Sequence, residues 1–159
     1  MRNKVRFSAF CKGITVTVLA LFVAGIVALR DEPGRLAFFC VLIIPMTLAA
    51  LYFCPRTVEA TSSGVTLRRL LGAPKVFTYD SVSEVDTCYP SLGGIRLCGS
   101  GGFFGYWGYF SDIMFGTYFG YYGSRDSCFL LKLKNGRQYV IGCEDPHAMV
   151  DYIRSQMAR

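Results

Sequence analysis

Charge is scarce in this chain. Lys and Arg number 17 and Asp and Glu 11, together 18% of 159 residues, where soluble domains carry about 25%. Histidine occurs once, at His147, and tryptophan once, at Trp107. There is no Cys-x-x-Cys pair, no G-x-S-x-G, no H-E-x-x-H and no Walker-type loop. The shortage of charge, beside a hydrophobic fraction of 52% and a mean hydropathy of +0.35, excludes an ordinary soluble enzyme and a disordered chain. The seven cysteines are odd in number, and Cys40 lies within an uncharged run. That excludes a disulfide-stapled secreted miniprotein and fits reduced thiols.

Two uncharged blocks hold much of the apolar excess: Gly13–Leu29, of 17 residues, and Leu36–Phe53, of 18. At about 1.5 Å per residue each approaches the thickness of a bilayer core. A signal peptide competes for the first block, with Arg2, Lys4, Arg6 and Lys12 as its basic region. No convincing small-x-small cleavage site precedes Arg30, and a second block follows at once. Arg30–Arg35 between them contains Pro33-Gly34 and reads as a turn. The expectation is a transmembrane helical hairpin over residues 13–54, after a basic N-terminal segment, residues 1–12. Gly25, Ala24, Ala28, Ala49 and Ala50 suit close helix approach, and Pro45 is tolerated where neighbours satisfy the freed carbonyl.

The flank carries four basic and no acidic residues, whereas the turn is neutral. Positive-inside logic puts both termini in the cytoplasm and the turn outside. Of the net +6, only +2 then belongs to the remaining chain, and nucleic-acid binding loses its support. Neither block holds a charge, so no ion pathway is indicated. Cys143 and His147 alone do not make a metal site. No catalytic group, cofactor or metal is expected.

Residues 55–159 read as one small domain. Thr57–Thr61, Val65–Leu71, Lys75–Tyr79 and Ile95–Cys98 are strand candidates, and Asp80–Tyr89 is ambiguous. Phe129, Leu131 and Leu133 alternate before Asn135-Gly136, and Tyr139, Ile141 and Cys143 continue the alternation, which predicts a β-hairpin. Asp145-Pro146 then opens a helix with Met149, Val150, Ile153 and Met157 on one face.

Gly99–Gly108 (GSGGFFGYWG) resembles a stretch of small bacterial membrane proteins that carry a bacterial pleckstrin-homology (PH) domain. Leu133–Ile141 followed by Glu144-Asp145-Pro146 resembles the same proteins. The resemblance runs over about Thr57–Met157, and a preceding helical hairpin is common among them. It implies a PH-like sandwich or partly open barrel closed by a C-terminal α-helix, without enzymatic activity and mostly without a defined ligand. One departure stands out. The first hairpin loop, Thr61–Gly64, has none of the bases that phosphoinositide-binding PH domains place there. Arg56, Arg68 and Arg69 remain as candidate contacts for anionic headgroups.

Gly99–Gly123 packs eight glycines and eleven aromatic residues into 25 positions. Two readings stand side by side. Some rings line a strand, with glycines allowing close backbone approach. Alternatively, Phe103–Phe115 projects as a loop that presents Phe103, Phe104, Tyr106, Trp107, Tyr109 and Phe110 to a membrane surface or a partner. The leading expectation is a two-span inner-membrane protein with a PH-like interaction or scaffolding module. The rivals are a lipid-sensing or envelope-stress regulator and a small subunit of a larger membrane complex. The partners in view are the bilayer, an unidentified protein and a second copy of the chain.

Overall fold

A computed structural model describes residues 1–91 and 93–158. Helix α1 spans Ala9–Ala28 and helix α2 spans Pro33–Phe53. Both begin earlier than the hydropathy blocks, and local chemistry explains why. The Ser8 side chain accepts the Cys11 N–H and caps α1. Pro33 takes the first helical position of α2, where its missing N–H costs nothing. The expected turn residues Pro33-Gly34 therefore belong to α2, and the turn itself is Leu29–Glu32.

The two helices are long and apolar enough to cross a membrane, with mean hydropathy of 2.2 and 2.4. Only 6% and 11% of their apolar windows are buried, so neither is a core helix of this body. Gly25 of α1 faces Phe39 of α2. A Cβ there would meet the Phe39 ring at 2.5 Å, so the absence of a side chain makes room for that ring.

The rest is a two-sheet β body closed by a helix. The first sheet has the order β1-β2-β3-β4, from Arg2–Lys4, Pro55–Ala60, Gly64–Arg69 and Lys75–Thr78. The ambiguous segment after it becomes a short 3-10 turn and strand β5, Val82–Cys88. The second sheet has the order β5-β9-β10-β8-β7-β6. Its other strands are β6 (Ile95–Gly102), β7 (Gly105–Asp112), β8 (Gly116–Tyr122), β9 (Cys128–Leu133) and β10 (Gln138–Gly142).

Strand β1 lies within the segment expected to be only a basic flank. It pairs antiparallel with β2, Arg2 opposite Glu59 and Lys4 opposite Thr57, and Val5 just beyond it enters the core. Three residues are too few to show a period of two in the sequence. The β9–β10 hairpin forms as expected, with Gly136 at φ 80° in its loop. Between β8 and β10 the pairing is parallel, which the hairpin pattern did not reveal.

Helix α3, Pro146–Met157, is capped by the Asp145 side chain, which accepts the Ala148 N–H at 3.0 Å. Met149, Val150 and Ile153 pack with Val58, Leu67, Phe129 and Ile141, so both sheets and α3 share one core. Leu130 and Val140 point the other way, into a second cluster with Tyr106, Phe110, Tyr118 and Tyr122. The central strands are thus covered on both faces, as their nearly continuous apolar runs require.

Candidate functional site

The glycine-aromatic stretch is a three-stranded meander, β6-β7-β8. The loop expected over Phe103–Phe115 does not exist: Gly105–Asp112 is strand β7, and only Phe103-Phe104 turn between Gly102 and Gly105. Alternation along the strand sorts the rings. Tyr106 and Phe110 are buried, stacked on Tyr122 at 4.9 Å and Tyr118 at 5.6 Å. Trp107 and Tyr109 take the opposite face.

Phe104 is the one described non-glycine residue with positive φ, at 54°. A left-handed residue costs roughly 1–2 kcal/mol unless it is glycine. What holds an aromatic there is α1. The Phe104 N–H donates to Thr15 Oγ1 at 3.0 Å, and that hydroxyl lies 3.2 Å from the Gly102 carbonyl and 2.9 Å from the Cys11 carbonyl. The Cys11 thiol also points at the Gly102 carbonyl, at 3.0 Å. Phe103 meets Phe22, two turns further along α1, edge to face at 6.0 Å. The tip of the β6–β7 ribbon is therefore docked along the apolar helix, and Thr15 satisfies its backbone.

A second joint ties the meander to α2. Trp107 stacks on Phe53 at 5.0 Å with planes 15° apart, and its indole N–H donates to the Phe103 carbonyl. Tyr109 stays 54% exposed beside Phe119. The six aromatic candidates thus divide into a tip on α1, a pair in the core, Trp107 on the end of α2 and Tyr109 beside Phe119. The strand-lining role is filled by Tyr106 and Phe110, while Phe103 and Trp107 pack on the two apolar helices. Thr15 escaped sequence reasoning because a threonine in an apolar run carries no motif.

The chemistry of the buried groups is quiet. Burial pushes Cys88 and Cys143 up to about 12, so these thiols stay protonated and poorly nucleophilic. Burial also raises Tyr118 to about 12 and Tyr122 further, the two hydroxyls lying 3.3 Å apart. Among the described residues, no three His, Cys, Asp or Glu come together as a metal site would require.

Arg56, Arg68 and Arg69 come together near the end of α2. They line one cleft of about 860 Å³ with Arg2 and Lys4 of β1. Arg68 and Arg2 both reach Glu59 Oε1, at 3.0 and 3.1 Å. Arg69 donates to the Ala73 carbonyl and lies over the Tyr52 ring at 4.7 Å. The two β1 bases were not among the headgroup candidates, since in sequence they read as a topology signal.

Comparison with protein-family models, curated proteins and solved structures returns no match, and nothing there identifies a PH domain.

Proposed function

We propose that this chain is a non-enzymatic, two-span inner-membrane protein whose β body is held against the cytoplasmic face as a PH-like interaction or scaffolding module. The observation that carries the reading is the β1–β2 ladder. Strand β1 precedes α1 and β2 follows α2, yet they pair residue by residue. Both ends of the helical hairpin must then lie on one side of the bilayer, which demands an even number of crossings. Cleaving α1 as a signal would also remove β1 and Val5 from the fold.

The four basic residues before Gly13 put that side in the cytoplasm. Two sheets sharing a core with a terminal helix support the PH-like reading, although the parallel β8–β10 pair is an addition to a simple meander. The scaffolding role draws on surface left open. Strand β6 is at the sheet edge, with Ile95 and Leu97 exposed, and Ile113 and Met114 are 92% and 82% exposed at the β7–β8 turn. Such apolar surface marks interaction sites.

Site-directed labelling tests the topology. Position 34 has open space around a Cβ, so Gly34→Cys should react with an impermeant maleimide in intact cells. Cys98, exposed on the body, should react only after permeabilisation. The reverse pattern overturns the orientation.

A further inference from the structure

We infer that the cleft between β1, the β2–β3 hairpin and the end of α2 binds the phosphate headgroup of an anionic phospholipid. This rests on the membrane reading above and adds a ligand to it. The site lies at the opposite end of the β2–β3 hairpin from Thr61–Gly64, the loop without bases.

The register builds the cleft. Lys4 and Arg68 stand directly on either side of Thr57, one on each neighbouring strand. The row Lys4–Thr57–Arg68 therefore sets two cations around a small hydroxyl residue. A register shift between Pro55 and Thr57 leaves Arg56 exposed beside that row. With Arg2 and Arg69, five cations line the cleft, and among the described residues Glu59 is the one carboxylate lining it. Glu59 Oε1 is shared by Arg2 and Arg68, so most of the positive charge is left without a counter-ion. A phosphate anion is the complement of such a surface.

The surroundings make the anion a lipid rather than a soluble phosphate. The β3–β4 loop runs alongside the last turn of α2. The Leu70 N–H donates to the Cys54 carbonyl at 2.9 Å, and the Leu71 N–H to the Leu51 carbonyl at 3.4 Å. Leu70 and Leu71 are 41% and 60% exposed there, and Tyr52 is exposed beneath the Arg69 guanidinium. The cleft's Arg69 thus lies over an exposed tyrosine, and exposed Leu70, which lines the cleft, and Leu71 sit against the end of the apolar helix α2. An anionic phospholipid joins the same two chemistries, a phosphate and acyl chains.

The test uses the full-length chain in nanodiscs of seven parts phosphatidylcholine to three parts phosphatidylglycerol. Lipids retained after extraction are counted by native mass spectrometry. The wild type should retain phosphatidylglycerol in preference to phosphatidylcholine. Lys4→Gln/Arg56→Gln removes two exposed cations and should lower that preference about thirtyfold, the equivalent of about 2 kcal/mol. Arg6→Gln/Lys12→Gln removes two cations that line a neighbouring recess instead and should keep it. Unchanged Trp107 emission in both variants shows that the body is intact.

Equal retention of the two lipids by the wild type, or equal loss in both double variants, overturns the cleft. Inorganic phosphate that binds in discs of phosphatidylcholine alone, and displaces phosphatidylglycerol, assigns the cleft to a soluble anion and overturns the lipid. Failure of the chain to enter nanodiscs overturns the membrane reading itself.

Discussion

Trp107 lies flat on Phe53, centroids 5.0 Å apart, and so occupies the joint between the last turn of α2 and strand β7. As the only tryptophan, it reports on that joint alone. In brominated lipid its emission should be strongly quenched, because the ring it covers ends an apolar helix. Phe53→Ala should shift the emission to the red by opening the joint to water. An unquenched spectrum that Phe53→Ala leaves unchanged would place Trp107 away from both the bilayer and α2.

Thr15 supplies the polar partner for the ribbon tip. Thr15→Val keeps the shape and leaves the Phe104 N–H unpaired in apolar surroundings, at a cost of about 1–3 kcal/mol. Thr15→Ser should restore most of the loss. Thermal unfolding of the full-length chain in detergent measures both, and a valine variant that melts with the wild type would refute the docking.

The β9–β10 loop and α3 make independent demands. Gly136 sits at φ 80° with open space around a Cβ, so Gly136→Val is penalised by its backbone alone, by roughly 1–2 kcal/mol. Ile153 is fully buried, and Ile153→Ala should cost about 2–5 kcal/mol through the cavity it leaves. Denaturant titration separates the two, with the larger shift in midpoint expected for Ile153→Ala.

Asp112 gives the body an acid-sensitive clasp. Burial alone would raise its carboxyl, but the Met114 and Ser91 N–H groups that it accepts, at 2.9 and 2.8 Å, hold it below the ordinary carboxylate range. A carboxyl lowered on folding stabilises the fold at pH above its unfolded value, and the contribution vanishes as pH falls through the folded one. The wild type should lose stability across that acid window. Asp112→Asn should be less stable at neutral pH and flatter below it, and parallel pH profiles for the two would remove the clasp.

What was legible in the sequence was local. Asn135-Gly136 between alternating strands, Asp145-Pro146 before a helical stripe and two uncharged blocks each carry their signal within a few residues. Strand β1 does not, because its partner β2 lies more than fifty residues away and three residues show no period. The aromatic stretch announced its composition but not its division. Which ring meets α1, the core or Phe53 depends on the pairing of β7 with β6 and β8 and on Thr15, a residue without a motif. The cleft was half visible: Arg56, Arg68 and Arg69 stood out, while Arg2 and Lys4 join them only through the β1 register.

The β1–β2 ladder also sets an order of events during synthesis. Residues 2–4 leave the ribosome before their partners at 57–59, which follow only after both apolar helices are made. If one helix inserted and the other failed, the two strands would be stranded on opposite sides of the bilayer and the first sheet could not close. On the two-span reading proposed above, the first sheet could therefore close only after both helices had inserted. On the same reading, a wrongly threaded chain would keep β2 as an open edge, with Val58 lacking its partner Asn3.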